Sequence, residues 1–339
     1  MKQILIPLFA LTILSFPSAG HENAIPNTRR AEVTVTKTEM LWRDPVDISS
    51  RDLYYGPGGK DHEPRGGFTF VKEDLKGTSP KFEVRDQNGI KWKVKLGDEA
   101  RPETAASRLV WAAGYFASED YFVPDLKVQD MPPHLHRGQK LVAPDGSLPN
   151  ARLKRYLKGE EKIGNWQWSD RALSGTRELN GLRVLMALID NWDVNAENNA
   201  IYQEQRDGTT ERIYMVSDLG SSFGTPGLVW PVSKARGNLP CYRHAPFITK
   251  VTADYVDFST PARDSILFLA TPREFFQRLR LRWIGKRIPR SDARWTAQLL
   301  ARLSPDQIRD AFRAAGYSQQ QLEGFTEVVL RRISELEKL

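Results

Sequence analysis

The stretch LMALIDNWDVNAENNAIYQEQRDGTTERIYMVSDLGSSFG, residues 185–224, decides how this chain folds. It begins inside an apolar run in which leucine, methionine and isoleucine recur at helical spacing. A loop rich in carboxylates and amides follows, and then two β-prone runs on either side of a polar turn at 206–210. Asp218 and Gly220 stand near the end of the stretch. The pattern predicts a helix, a polar loop, a hairpin and an Asp-x-Gly turn, in that order.

The polar loop and the turn carry side chains that suit a magnesium ion. Asp193 and Asn198 are five residues apart in the loop, and Asp218 follows the predicted hairpin. Mg²⁺ is a hard cation that prefers carboxylate and amide oxygens. We therefore expect oxygens of Asn198 and Asp218 to converge on one ion, while Asp193 can orient or deprotonate a hydroxyl group beside it.

Two other interpretations of the loop stay open. Loops rich in Asp and Asn are often only solvated turns. The loop also matches most ligand positions of a calcium-binding EF-hand, although that motif needs glycine where Asn198 stands and a helix where a strand is predicted. The matching positions are Asp193, Asn195, Glu197, Asn199 and Glu204.

Before this stretch, the chain has the pattern of a β-sheet. Three short runs within residues 66–96 alternate between apolar and polar side chains. The first two runs are joined by a Gly-Thr-Ser-Pro-Lys loop at 77–81. Backbone N–H groups of small polar loops can hold phosphate. Gly77, Ser79 and Lys81 are therefore candidates for binding a nucleotide.

The last of these strands carries lysines on one face, and a helix is predicted to follow at 102–116. Lys95, the lysine nearest that helix, is the first candidate on this face for binding an anion and Lys93 is the second; a solvated lysine face is the alternative. Glu103 stands in the first turn of the helix, where it can pair with the lysine or complement the helix dipole. Glu99 is the competing partner for the lysine.

The predicted elements follow one another along the chain as strands with a glycine loop, a helix, and then a helix, polar loop, hairpin and Asp-x-Gly turn. This order resembles the atypical protein-kinase-like superfamily, which includes HipA-type kinases, phosphatidylinositol kinases and secretory-pathway kinases. The loop at 77–81 is similar to the Gly-x-x-Pro-Lys loop of the HipA-type kinases. The resemblance implies that Lys95 holds the phosphates of ATP and pairs with Glu103. It also implies a nucleotide as ligand, Mg²⁺ as cofactor and a hydroxyl group as the phosphate acceptor.

The same resemblance assigns roles in the central stretch. Asp193 is implied to be the catalytic residue, and Asn198 and Asp218 are implied to bind the metal. Asn191-Trp192 stands where protein kinases have His-Arg, and the hairpin is longer than theirs. The acceptor is therefore open between protein, lipid and sugar, and nucleotidyl transfer is another reaction that fits. The alternative function is a pseudokinase-like nucleotide-binding or interaction protein without turnover.

These patterns together predict an α+β chain with a two-lobed protein-kinase-like fold, β-rich in the N-lobe and helical in the C-lobe. In the last part, Ser304 and Ser318 each begin a helix-capping pattern. The expected segments are a signal peptide, an extended leader, the N-lobe and the C-lobe, at 1–20, 21–65, 66–160 and 161–339.

The N-terminus has the pattern of a secretory signal. Lys2 precedes an apolar run that ends before small residues at 17–20. We expect a secreted or periplasmic protein that is not an integral membrane protein if the signal is cleaved; a retained N-terminal anchor is the alternative.

The single cysteine, Cys241, excludes an internal disulfide. The net charge of +7, from 49 basic and 42 acidic residues, is too mild to indicate nucleic-acid binding.

Overall fold

The computed structural model describes residues 37–77, 79–206, 209–225, 232–261 and 272–339. The predicted signal peptide lies outside these ranges, as do the first part of the predicted leader and Thr78 of the glycine loop. In the described part of the chain, no helix is long and apolar enough to cross a bilayer.

Within these ranges the chain forms three sheets and a set of helices. The strands are β1 (Lys37–Met40), β2 (Phe68–Glu73), β3 (Lys81–Asp86), β4 (Lys91–Leu96), β5 (Asp120–Leu126), β6 (Val128–Gln129), β7 (Leu148–Arg155), β8 (Glu161–Gly164), β9 (Asn199–Arg206), β10 (Thr209–Val216), β11 (Ile248–Val251), β12 (Tyr255–Phe258) and β13 (Ile288–Pro289). The α-helices are α1 (Ala100–Ala112), α2 (Arg177–Leu188), α3 (Leu239–His244), α4 (Pro272–Leu281), α5 (Arg290–Leu300), α6 (Pro305–Ala314) and α7 (Gln319–Glu337).

The β-rich part is a six-stranded sheet in the order β5-β7-β4-β3-β2-β6, with α1 lying against β5 and β7. The predicted alternation is visible in β4, where Trp92 and Val94 are buried and Lys91 is exposed. Antiparallel pairing of β4 with β7 places Lys95 opposite Arg152. The sheet therefore brings two basic residues side by side at the end of β4 that leads into α1.

The helical part surrounds the main hydrophobic core, to which α1, α2, α5, α6 and α7 all contribute buried side chains. Ser304 and Ser318 form the predicted capping boxes at the starts of α6 and α7. Thr176 caps α2 through a hydrogen bond from the backbone N–H of Leu179. The predicted α+β fold, β-rich first and helical afterwards, is confirmed.

The described end of the predicted leader belongs to this fold. A four-stranded sheet in the order β1-β10-β9-β8 contains β1, which pairs in parallel with β10. Ile48 and Leu53, which follow β1, are buried in the main core. The sequence pattern missed this role because a short strand takes its stability from a partner far along the chain, here about 170 residues away.

The hairpin of β9 and β10 positions the polar loop. The loop leaves the end of α2 at Ile189 and leads directly into β9, and β10 ends just before Asp218. The backbone carbonyl of Asn198 accepts hydrogen bonds from the backbone N–H groups of Ser217 and Asp218, at 2.8 and 3.2 Å. The end of the loop and the start of the Asp-x-Gly turn are therefore tied together.

Candidate active site

Lys95 is the centre of an ion-pair cluster at the junction of β4 and α1. Its Nζ lies 2.9 Å from Glu99 Oε2, 2.8 Å from Glu103 Oε2 and 3.1 Å from Asp218 Oδ2. Since α1 begins soon after β4 ends, Glu99 and Glu103 stand one helical turn apart and face the same lysine. The sequence left the two glutamates as competing partners of Lys95, and the structure pairs both with it.

Two arginines complete the cluster. In Arg152 of β7, Nη2 lies 2.7 Å from Glu103 Oε1 and Nη1 lies 3.3 Å from Asp120 Oδ1. Arg236 lies 2.8 Å from Glu99 Oε1. Buried charged groups need neighbours of opposite charge, because an unpaired ion loses its hydration without compensation. The sequence pattern did not single out Arg152; an arginine between two apolar residues of a strand is the signal that could have found it.

Asp218 is the exposed member of the cluster. Its side chain is 39% exposed, whereas that of Glu103 is 2% exposed. Lys95 and the backbone N–H of Gly220, which donates to Asp218 Oδ1 at 3.2 Å, hold the carboxylate in place. A ligand that approaches the cluster from solvent therefore meets Asp218 first.

The charges of the cluster determine its ionisation. Burial alone would lower the pKa of Lys95, but the three carboxylates around it, Glu103 first, raise it above its ordinary value. Burial alone would raise the pKa of Asp218, but Lys95 and the Gly220 backbone N–H lower it to about 2. Lys95 is therefore an ammonium and Asp218 a carboxylate at neutral pH.

Position 220 has no room for a side chain, because Glu99 occupies the space beside Gly220. A Cβ atom at Gly220 would lie 2.8 Å from Cβ and 2.9 Å from Cγ of Glu99. We expect Gly220→Ala to lower the free energy of unfolding by about 1–3 kcal/mol, since overpacking forces the neighbouring backbone to shift. Urea unfolding measures this change. Gly67→Ala is the control, because a Cβ atom there meets no heavy atom within 4 Å; equal losses in both variants would contradict the explanation.

Asp193 and Asn198 are joined by the local geometry of the loop. Asn198 Nδ2 donates to the Asp193 backbone carbonyl at 2.8 Å, and Asn195 Nδ2 donates to the Asp193 carboxylate. Burial, with a contribution from the charge of Asp218, raises the pKa of Asp193, although the side-chain hydrogen bond with Asn198 lowers it in part. The hydrogen bond to the Asp193 carbonyl uses the amide nitrogen of Asn198 and orients its side chain. That the amide oxygen of Asn198 and the carboxylate of Asp218 meet at one ion stays a prediction.

The calcium-loop interpretation does not fit this geometry. Asn199 is the first residue of β9, and Glu204 lies five residues further along the same strand. An extended strand rises about 3.3 Å per residue, so Glu204 lies roughly 17 Å from the end of the loop that holds Asp193. An EF-hand needs its last glutamate on the same ion as its first aspartate.

The predicted phosphate loop touches the cluster through its serine. Ser79 Oγ donates to Glu99 Oε2 at 2.9 Å. Gly77 has a φ of +70°, the left-handed conformation that favours glycine. A Cβ atom at Gly77 would lie 3.5 Å from Lys81 Nζ. Within the described residues of this loop, Gly77 therefore lies close to Lys81, and Ser79 contacts Glu99 of the cluster.

Lys81 and Lys93 have different surroundings. Lys81 is the cross-strand partner of Lys95, its pKa is lowered by burial, and it forms no ion pair with any residue that the structure describes. Lys93 Nζ lies 3.0 Å from Asp74 Oδ2. Lys93, the second candidate for the phosphate contact, is thus paired outside the cluster, whereas Lys95, the first candidate, lies inside it.

A pocket of about 250 Å³ lies beside Asp193, between Trp192 and α4. The Trp192 ring is contacted by two guanidinium groups, with the carbon of Arg236 at 5.4 Å and that of Arg278 at 4.8 Å from the ring centre. Positive charge therefore borders the pocket that Asp193 lines.

Three carboxylates of the cluster lie close to one another around the Lys95 ammonium. One oxygen from each of Glu99, Glu103 and Asp218 lies within 4.8 Å of the others. The four carboxylates of the cluster, which include Asp120, outnumber its three cationic side chains by one. Burial raises the pKa of Glu103, and Lys95 lies among these oxygens, so a cation would bind all three only in place of the ammonium.

No family model and no curated protein matches this chain. Among solved structures it is similar to a Helicobacter pylori proinflammatory kinase, CtkA, with a TM-score of 0.42 and 10% identity over 80% of this chain and 95% of that chain. It is also similar to the Golgi casein kinase, with a TM-score of 0.34 and 12% identity over 79% of this chain and 75% of that chain. Both of these proteins are kinases, and at these TM-scores and identities the similarity carries no conclusion about the function of this chain.

Proposed function

We propose that this protein is an exported atypical kinase-like phosphotransferase, which uses Mg²⁺ to move the γ-phosphate of ATP to a hydroxyl acceptor. The observation that carries the proposal is the contact of one buried lysine with both a helix glutamate and the Asp-x-Gly aspartate. Lys95 Nζ lies 2.8 Å from Glu103 and 3.1 Å from Asp218. Kinases need the lysine–glutamate pair and the metal-binding aspartate in place together.

The nucleotide would bind at the open side of the cluster. Lys95, oriented by Glu103, would hold phosphate oxygens, and Lys81 has no ion pair in the described residues that would compete with phosphate. Gly77 and Ser79 would contribute polar groups from the loop. Ser79 would exchange its present hydrogen bond with the glutamate for one with phosphate.

The remaining site residues would serve the transfer itself. Asn198 and Asp218 would hold Mg²⁺, which neutralises phosphate charge when it is bound. Asp193, whose pKa is raised by burial, would accept the proton of the acceptor hydroxyl. As the acceptor oxygen bonds to the γ-phosphorus, the bond from that phosphorus to the bridging oxygen breaks and ADP leaves.

Export is supported by the sequence pattern at the N-terminus, where Lys2 precedes an apolar run and small residues at 17–20. Cell fractionation with N-terminal sequencing tests it. A protein found inside the cell with its first residues intact would contradict export and leave the proposed chemistry untouched.

Stabilisation by magnesium-ATP is the first test of the chemistry. We expect magnesium-ATP to raise the melting temperature of the purified protein, because a ligand of the native state stabilises it. Asp218→Asn should lose the magnesium-dependent part of the rise, since it removes an anionic ligand. Asp125→Asn, an exposed change on β5, should keep it. An unchanged melting temperature in the wild type would overturn the proposal.

Transfer of labelled phosphate from ATP separates an enzyme from a binding protein. Protein, lipid and sugar acceptors, and the chain itself, are offered in parallel. We expect product with at least one of these classes. Magnesium-dependent binding without any product would favour the pseudokinase-like alternative.

A further inference from the structure

A larger pocket, of about 530 Å³, lies at the N-terminal end of α1. Its walls come from α1, from the loop that follows Lys140, and from Arg236, Gly237 and Tyr317 on the helical side. The volume is in the range of small-molecule sites. The pocket contains none of the residues that we assign to the nucleotide.

Arg101 presents a guanidinium group to this pocket. Its guanidinium carbon lies 5.5 Å from the ring centre of Phe122 and 5.8 Å from that of Tyr317, so two aromatic rings hold the group. Its buried Nε has no hydrogen-bond partner, and Arg101 forms no ion pair within the described residues. A fixed guanidinium with unused N–H donors is suited to bind an oxyanion in a bidentate manner.

Tyr317 adds a buried hydroxyl group that also has no partner. The residue is 7% exposed, and its Oη forms no hydrogen bond in the part of the chain that the structure describes. Gly237 leaves room for this hydroxyl, because a Cβ atom there would collide with Oη. An unpaired buried hydroxyl is unfavourable, so a ligand that accepts its hydrogen bond would gain affinity.

The electrostatics of the pocket favour an anion. The one acidic side chain that lines the pocket is Asp98, and its Oδ1 lies 3.0 Å from Lys234 Nζ. No side chain caps the N-terminus of α1. The Ala100 N–H donates to the Gly97 carbonyl at 3.1 Å and Pro102 has no N–H, so this end of the helix contributes the partial positive charge of its dipole but few free donors. The basic side chains that line the pocket are Arg101, Lys140 and Arg236; Arg236 is paired with Glu99, which leaves Arg101 and Lys140 for an anion.

From these observations we propose that the pocket binds a phosphate monoester group carried on a larger molecule. Arg101 binds two phosphate oxygens, and Tyr317 Oη donates to another. A phosphate monoester offers more oxygens and more negative charge than a carboxylate, so it uses this donor set more fully. The rest of the volume accommodates the group that carries the phosphate.

Titration with inorganic phosphate and with O-phosphoserine tests the proposal, by calorimetry on the purified protein at constant ionic strength. We expect both probes to bind, with O-phosphoserine the tighter. Arg101→Gln should weaken O-phosphoserine by at least about tenfold, the usual scale for losing charge-assisted hydrogen bonds. Equal affinities for the two probes would contradict the larger ligand.

Tyr317→Phe distinguishes a binding role from a packing role. It removes only the hydroxyl, so we expect it to weaken O-phosphoserine several-fold while leaving the melting temperature of the free protein unchanged or higher. A lower melting temperature with unchanged affinity would assign the hydroxyl to folding and overturn its role in binding.

Two variants control for charge and for location. Arg294→Gln removes one exposed positive charge from α5 and should not alter the affinity for O-phosphoserine. Lys81→Gln, on the nucleotide side, should also retain it. If Lys81→Gln abolishes binding and Arg101→Gln does not, the probes occupy the nucleotide site and the proposal is wrong.

Discussion

Replacing Asp193 by alanine is expected to lower the rate of phosphate transfer by about a hundredfold or more, the scale for removing a general base. Nucleotide affinity should stay within a few-fold, because Lys95 and the metal ligands hold the nucleotide in the proposed mechanism. Burial raises the pKa of Asp193, and only the ionised carboxylate accepts a proton. In the wild type the rate should therefore rise as the pH rises through this pKa, and the rise should be absent from Asp193→Ala.

Glu197→Gln is the matched control for this experiment. Glu197 is an exposed carboxylate of the same loop, four residues from Asp193, and its neutralisation should change the rate little. Parallel calorimetry with magnesium-ATP completes the comparison, with Asp218→Asn as the variant that loses metal-dependent binding. Equal loss of nucleotide binding in Asp193→Ala and Asp218→Asn would refute the division between catalysis and metal binding.

Lys95→Met is expected to lower the free energy of unfolding by about 3–5 kcal/mol, the scale for breaking a buried ion pair. The sequence pattern predicts Lys95 as a ligand-binding residue, and on that basis alone we would expect its loss to leave the free protein nearly as stable. The structure changes that expectation, because the buried Nζ lies within 3.1 Å of carboxylate oxygens of Glu99, Glu103 and Asp218. Methionine would leave these carboxylates without their shared cation.

Lys93→Met is the control, since Lys93 lies on the same strand and its side chain is 31% exposed beside Asp74. A pair of this kind contributes about 0–1 kcal/mol. Denaturant unfolding at pH 7 compares the two variants. The neighbouring carboxylates raise the folded pKa of Lys95, so its contribution is fully present below the ordinary pKa of lysine and is lost only as the pH rises through the folded pKa. Equal losses in both variants would show that the cluster is not the source of stability.

Short-range patterns were sufficient to predict the elements around the site. Alternation predicted β4, with Lys95 at its end, and an apolar run followed by a polar loop predicted α2 and the hairpin that leads to Asp218. The capping boxes at Ser304 and Ser318 were also visible in the sequence. Each of these signals depends on residues within a few positions of one another, because hydrogen bonds and side-chain periodicity in helices and strands are local.

Only the tertiary structure decided how the charges are paired. Lys95 and Asp218 are 123 residues apart and Glu103 and Arg152 are 49 residues apart, yet each pair is in direct contact. The space that Glu99 takes beside Gly220 likewise has no local signal. Which charges meet depends on which strands and helices pack side by side, and in a buried site each charge needs an opposite partner from a neighbouring element. Periodicity along the chain carries no information about those neighbours.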